Sequence, residues 1–544
     1  FYKSTWNGAW QDAGFFECAQ ISVMLHRMDD AREEIENSLI RNTHNHKARA
    51  LKAAILRLTD KKDEAIAWCE ESLKIDQFNY GCLFELFLST DNNKYLDKMV
   101  EMMHGMPNNY DELALDYAGA GLYGEALKVL QAAIDNKAIT PMTYYYLGWV
   151  LRKKDTDDWE IAKSAYDQAS KYPSDYCFPN RPEAVLALKD AINVNDKDAK
   201  APYYLGCLYY DKRQYDVAME VWRKSAEIDP KFPTVWRNLA LGLFNKEQKG
   251  EEAVKYMEKA FQLDTADARI LMELDQLYKR LGYDHAMRLK HLQQYPELIA
   301  KRDDLLLEEI TLLNQTGNYA EAMKKLDAHQ FHPWEGGEGK VSGQYQLSRL
   351  ELAKKALFQH DYDTAISLLE ACLVYPHHLG EGKLYGAQEN DFYYFLGCAY
   401  AAKGMADKAN ECWEEATKGP QEPAAAMYYN DAKPDKIFYQ GLALLKLGRV
   451  DEAHGRFYKL INYGKNHLFE DVVMDYFAVS LPDLQIWEGD LNLSNQIHCK
   501  YMLALGFYGL GDKKHAERYL KEASRLDKNH LGILSFKSLI ELGL

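Results

Sequence analysis

Two stretches of this 544-residue chain gather the residue types that chemistry uses. The first runs Phe331-His332-Pro333-Trp334-Glu335-Gly336-Gly337-Glu338-Gly339-Lys340 and is followed by Gln344 and Tyr345. The second runs His377-His378-Leu379-Gly380-Glu381-Gly382-Lys383 and is followed by Tyr385 and Gln388. Both contain Gly-Glu-Gly-Lys, in which glycines let the backbone approach a ligand while an acid and a base project from fixed points. A phosphate loop of the form G-x-x-x-x-G-K-[ST] fails here. The lysines precede Val341 and Leu384, and Trp334 or His377 stands five residues before the second glycine. A metal site would draw on His332, Glu335 and Glu338, or on His377, His378 and Glu381. Glycine and proline break any regular helical face, and neither H-E-x-x-H nor paired cysteines occurs, so no metal and no cofactor is assigned. Carboxylate catalysis on a sugar would use two of Glu335, Glu338 and Glu381 as acid and base, ~5–10 Å apart, with Trp334 or Tyr345 as a stacking platform. Two readings without catalysis stand beside it. The loops are rigid connections whose Glu and Lys cap helices or pair with each other, or they form a docking surface. The candidate ligand- or domain-binding residues are therefore His332, Trp334, Glu335, Glu338, Lys340, Tyr345, His378, Glu381 and Lys383.

Such loops need a scaffold, and the scaffold is a repeat. Twelve segments place a turn residue, then an alanine about five positions on, then large apolar residues one and two helical turns later. The alanines are Ala31, Ala65, Ala126, Ala162, Ala218, Ala253, Ala286, Ala322, Ala365, Ala409, Ala453 and Ala516, and five of the eleven intervals lie within two residues of 34. One copy reads Tyr393, Leu396, Gly397, Tyr400, Gly404, Ala409, Trp413, Ala416. Another reads Leu205, Gly206, Tyr209, Ala218, Trp222, Pro230. The pattern resembles the tetratricopeptide repeat. The resemblance implies an all-α solenoid of antiparallel helix pairs, a right-handed superhelix, in which Gly206 or Gly397 lets paired helices approach and the alanine sits where the next helix crosses.

Where the period breaks, the expectations are specific. Tyr80 to Met103 reads as two short helices with a polar turn at Asp91-Asn92-Asn93. Pro173, Pro179 and Pro182 announce an irregular connection before an apolar helix, Ala184 to Ile192. Four regions follow: repeats over 1–172, the connection with one helix over 173–200, regular repeats over 201–330, and repeats with long Gly/His/Pro-rich insertions over 331–544. The segment from Phe477 to Asn492, with Trp487, is too apolar for an exposed tip and is expected to pack on something. Adjacent tyrosines such as Tyr144-Tyr145-Tyr146, Tyr203-Tyr204 and Tyr428-Tyr429 cannot all be buried on one face, and the surplus is expected to line the groove.

Composition bounds the partners. With 66 Lys and Arg against 82 Asp and Glu the net charge is −16, which repels nucleic acid and anionic membrane surfaces. No apolar run reaches membrane-spanning length, so neither nucleic-acid binding nor membrane insertion is expected. Nine scattered cysteines without a C-x-x-C pair suit a reducing compartment, hence a cytoplasmic chain, with an upstream targeting segment left open.

The late segments, from His332 to Lys340, the second Gly-Glu-Gly-Lys, Tyr428-Tyr429 to Ala443, and Ser480-Leu481-Pro482-Asp483-Leu484 with Asp490-Leu491-Asn492, are similar to a bacterial family. In that family a mutarotase-like β domain of uncharacterised function precedes a tetratricopeptide array, and the opening Trp6 to Gly14 fits the join. The resemblance implies a helical region that docks another protein or the upstream domain of the same polypeptide and is non-catalytic by itself. The other reading is the helical half of a carbohydrate-binding or carbohydrate-processing protein, with its site at the Gly-Glu-Gly-Lys loops. The aromatics Phe1, Tyr2, Trp6, Trp10, Phe15 and Phe16 are expected to rest on such a domain or on a partner subunit.

Overall fold

The computed structural model describes residues 1–544 except 155–158, 335, 426–430, 432, 474–485 and 544, and every described element is helical. Two compact units divide at Val235/Trp236. The first unit opens with short 3-10 turns (Tyr2–Trp6, Gly8–Trp10). There follow α1 (Gln11–Met24), α2 (Met28–Arg41), α3 (His46–Leu58), α4 (Lys62–Ile75), α5 (Tyr80–Thr90), α6 (Asn93–Met102), α7 (Pro107–Gly119), α8 (Tyr123–Asp135), α9 (Pro141–Lys154), α10 (Trp159–Lys171), α11 (Pro182–Val194), α12 (Lys200–Asp211) and α13 (Tyr215–Ile228). The second unit takes most of α14 (Pro233–Asn245). It continues with α15 (Gly250–Leu263), α16 (Ala268–Arg280), α17 (His285–Leu292), α18 (Pro296–Ile299), α19 (Asp303–Gln315), α20 (Tyr319–Ala328), α21 (Lys340–Phe358), α22 (Tyr362–Cys372), α23 (Asn390–Ala402), α24 (Ala406–Ala416), α25 (Pro434–Lys446), α26 (Val450–His467), α27 (Leu491–Gly509), α28 (Lys513–Leu526) and α29 (Leu531–Leu542). No helix among the described residues is long and apolar enough to cross a membrane.

The hairpins draw on a small set of recurring parts. The first helix begins on a side-chain cap in several copies, as where Asn45, Asn79 and Asp267 accept backbone N–H groups of α3, α5 and α16. In several hairpins a glycine in the middle of the first helix then lies against an aromatic of the second. A Cβ on Gly206 would stand 2.4 Å from the Trp222 ring, and one on Gly397 2.4 Å from Trp413. Both indoles donate back to the first helix, Trp222 to the Tyr203 carbonyl at 3.1 Å and Trp413 to that of Tyr394 at 3.3 Å. Eleven of the twelve alanines are buried on the second helix. All of these but Ala162 stand four residues after a described N-cap, as Ala126 does after Leu122.

Ala286 is the exception and is exposed. The N-cap of α17 is Asp284, so the fourth residue after it is Arg288, which is fully buried. Reading Ala286 as the repeat alanine placed that helix out of register. A guanidinium fills the crossing point because acids from two neighbouring helices meet it there. Asp275 of α16 accepts from Nε and Nη2 at 3.0 and 2.6 Å, and Glu308 of α19 accepts from Nη2 at 2.7 Å.

Two irregular stretches interrupt the hairpins of the first unit. α5 and α6 are two short helices joined at Asp91, in the left-handed conformation, and Asn92. α11 follows the proline-rich connection and buries Ala184, Ala187, Leu188 and Ala191. Of the apolar insertion, residues 477–485 lie outside the described residues. Trp487 is among the largest fully buried side chains of the chain. Its indole N–H donates to the Glu273 carbonyl at 2.8 Å and its ring meets Phe244 edge-on at 5.3 Å. Asn245 clamps the flanking backbone, donating to the Ile486 carbonyl at 2.8 Å and accepting from the Glu488 N–H at 2.9 Å.

In the first unit, Asp111 of α7 is buried without a counter-ion. One carboxylate oxygen accepts from the Thr143 hydroxyl at 3.2 Å and the other has no partner. Burial pushes its carboxyl up to about 7, Glu112 adds to this, and the Thr143 bond offsets only part. The opening aromatics behave oppositely, Trp6 and Trp10 being 72% and 62% exposed against 1% for Trp487. Acrylamide quenching of the isolated chain will therefore fall sharply in a Trp6→Phe/Trp10→Phe variant. Unchanged quenching would mean that these indoles are covered.

Candidate functional site

The first helices of six successive hairpins, α16, α19, α21, α23, α25 and α27, face one cavity of about 1180 Å³ within the second unit, together with α29. Its wall mixes apolar side chains (Met272, Leu307, Leu350, Phe392) with amides (Gln276, Gln315, Gln344) and charges of both signs. The acids there are largely engaged. Asp391 pairs with Lys436 at 2.5 Å, and Asp304 with Arg302 at 2.6 Å. Burial opposes ionisation of Glu308, but Lys279 and Arg288 more than offset it and hold its carboxyl at about 2. Burial and the neighbouring Lys436 lower the Lys433 ammonium. Burial also lowers His530, whose Nδ1 accepts from the Ile533 N–H at 3.1 Å and so caps α29. His498, lowered by burial as well, meets the Ala424 carbonyl through Nε2 at 2.8 Å.

α29 does not stack as the first helix of another hairpin. It crosses to α21, where Lys354, fully buried, donates to the Ser535 carbonyl and hydroxyl at 2.9 and 2.8 Å and to Glu351 at 2.7 Å. Ser535 in turn donates to Glu351 at 2.6 Å. Ahead of the helix, Asn529 accepts from Arg288 at 3.3 Å, contacts His285 at 2.9 Å, and takes a Gln315 donor on its carbonyl at 3.0 Å. Phe536 closes the contact edge-on against Phe438 and Tyr508.

The two Gly-Glu-Gly-Lys loops touch. The Phe331 N–H donates to the His378 carbonyl at 2.8 Å, and Gly380, at φ +71°, leaves room for the Phe331 carbonyl. Glu381 accepts from the Ser342 hydroxyl at 2.5 Å and from backbone N–H groups of Gly339, Val341 and Ser342, so it caps α21 from the neighbouring loop. Burial raises its carboxyl nonetheless. Lys383 pairs with Glu389 at 2.6 Å and donates to the Leu373 carbonyl. His332 lies exposed against Asp303 at 3.1 Å, and His378 faces Asp327 at 3.8 Å. Tyr345 is buried with Arg349 stacked 3.5 Å over its ring. Trp334, packed on Gly337, and Lys340 reach the cavity, Glu338 is exposed, and Glu335 lies outside the described residues. Among the described residues no cluster of His, Cys, Asp and Glu could hold a metal. Gly380→Ala will cost about 2 kcal/mol, since a Cβ there combines a left-handed φ with a 2.6 Å approach to the Phe331 carbonyl oxygen. Gly382→Ala, which meets nothing within 4 Å, will leave the melting temperature unchanged.

A family profile described as tetratricopeptide repeat matches residues 201–232, the hairpin of α12 and α13. The fold is all-α and of tetratricopeptide type. Solved structures align with it at low identity. MamA is 24% identical over 40% of this chain and 96% of its own, with a TM-score of 0.17. YrrB, described as a tetratricopeptide protein with an unusual peptide-binding site, is 16% identical over 44% and 97%, with a TM-score of 0.17. Naa15/Naa10 bound to HypK-THB is 15% identical over 98% and 96%, with a TM-score of 0.22.

Within this tetratricopeptide array the sequence reading missed Arg288, Lys354 and Asn529. Counting four residues from Asp284 would have exposed Arg288, but a lysine on a helical face and an asparagine in a connection carry no such signal. The surplus tyrosines also behave differently from expectation. Tyr144 packs on Tyr172 at 5.3 Å and Tyr203 on Phe232 at 4.8 Å, each closing its own hairpin at the following connection. Tyr428 and Tyr429 lie outside the described residues.

Proposed function

We propose that the chain is a non-catalytic protein-interaction scaffold whose second unit takes a segment of a partner protein into the cavity. The observation that carries this reading is the convergence of six first helices on one space lined by amides, apolar side chains and both charge signs. A peptide main chain offers donors and acceptors in equal number, which amides match, while its side chains need apolar and charged subsites. Glu381 is engaged as a helix cap, which favours docking over carboxylate catalysis at the loops. The similarity of the late segments to the bacterial family extends the reading. The array serves a larger protein in a reducing, cytoplasmic setting, and Phe1, Tyr2, Trp6 and Trp10 form a face for its upstream domain.

Selection of displayed peptides on the intact chain tests the cavity. The expected result is an enriched peptide that slows hydrogen exchange in α21, α25 and α27. No enrichment, or protection confined to the second helices α20, α22 and α24, would overturn it.

A further inference from the structure

We infer that α29 is a displaceable intramolecular ligand, and that the partner of this cavity is an amphipathic helix which takes its place. The inference rests on the reading of the cavity as a protein-binding site and names the regulation of that site and the kind of partner.

The contacts of α29 are those of a recognised peptide. Its apolar anchors, Ile533, Phe536 and Leu539, are buried along one stripe, and most of its other described side chains are half-buried beside the open cavity. Its polar anchors capture main chain as well as side chain. Gln315 holds the Asn529 carbonyl and Lys354 the Ser535 carbonyl, 214 and 181 residues away in sequence. Lys354 and Glu351 together form a donor–acceptor pair bridged by one hydroxyl, that of Ser535. The second Glu351 oxygen, buried, has no partner even with α29 in place. The concave wall thus reads a helix by an amide at one end, a hydroxyl next to an aromatic, and apolar residues two before and four after that hydroxyl. A helix carrying this pattern meets the same reader, in the manner of helix-in-groove recognition. Because α29 is tethered, it competes for the site at an effective concentration near millimolar, so a free helix binds the parent more weakly than it binds a chain in which that contact is loosened.

The probe is a fluorescein-labelled synthetic peptide of residues 528–543, added to the intact chain. Ser535→Ala/Phe536→Ala weakens the tethered helix and leaves the wall untouched. That variant is expected to bind the probe at least tenfold more tightly than the parent, and adding Lys354→Met is expected to abolish the gain with helical content retained. Equal affinity in parent and variant would overturn the proposal. If the double variant fails to fold, hydrogen exchange of the parent decides. Exchange of α29 amides at least tenfold faster than those of α25 and α27 supports a displaceable helix, and equal rates mark it as a permanent part of the core. Peptide selection on the parent reads the cavity with α29 seated, so failure there is distinct from failure of this exchange.

Discussion

Arg288→Ala will lower the stability of the second unit by about 3–5 kcal/mol, the range for removing one member of a buried ion cluster. Alanine is the residue that the other repeats carry at this position, so the loss comes from the acids left behind. Asp275, fully buried, would lose both donors of its bidentate pair, and Glu308 would keep only Lys279, at 3.1 Å. An unpaired buried carboxylate is relieved by protonation, so the destabilisation will be larger at pH 8 than at pH 5. The readout is the denaturant midpoint at both pH values, with hydrogen exchange in α16 and α19 locating the change. Pairing Arg288→Met with Asp275→Leu should recover much of the loss, because well-packed apolar replacements of buried ion clusters are often neutral. A midpoint unchanged by Arg288→Ala would mean that the cluster contributes nothing net.

The second large effect lies in the first unit and has the opposite sign. The Asp111 carboxyl ionises near 7 in the folded chain, against 3.8 ordinarily. Below pH 4 it is protonated folded or unfolded and costs nothing. Between pH 4 and 7 the unfolded chain releases its proton first, so stability falls as pH rises, by a total on the order of 4 kcal/mol, and levels off above 7. Asp111→Asn removes the charge and keeps an acceptor for Thr143, although its amide nitrogen then stands where an oxygen had no partner. The net expectation at pH 8 is a gain of about 2 kcal/mol, with no gain at pH 4. Thermal unfolding of the first unit at the two pH values, followed by hydrogen exchange in α7 and α9, checks it. A variant less stable than the parent at pH 8 would show that the ionised carboxylate is better solvated than its burial implies.

Both residues mark the limit of what the sequence made legible. Helix pairing was legible because it is local and repeated. The Gly206–Trp222 and Gly397–Trp413 contacts and eleven buried alanines recur in register, and recurrence separates a pattern from chance. The two Gly-Glu-Gly-Lys loops were legible as a repeated motif for the same reason. Their roles were not, since Glu381 caps a helix that begins beyond the preceding loop, a contact set by the stacking of hairpins and not by spacing along the chain. Arg288 was obscured by a nearby alanine, Ala286, that satisfied the pattern two residues early. Asp111 was obscured because burial of one carboxylate on an otherwise ordinary helix leaves no trace in residue order. The surplus tyrosines show the same limit, since only the packed hairpin reveals that Tyr203 meets Phe232 instead of open groove.

The clasp of Asn529 and Ser535 has a consequence for the order in which the chain acquires its structure. Contacts inside a hairpin, such as Trp222 to the Tyr203 carbonyl, close short loops and can form while synthesis is still under way. The bonds from Arg288 to Asn529 and from Lys354 to Ser535 join residues 241 and 181 positions apart. Neither can exist until Asn529 and Ser535 have been made. For that interval Lys354 and the apolar stripe of Phe438, Tyr501 and Tyr508 are formed but uncovered on the nascent chain. The seating of α29 therefore follows synthesis of the wall it covers, and a chaperone or a partner present at that moment would meet the wall before α29 does.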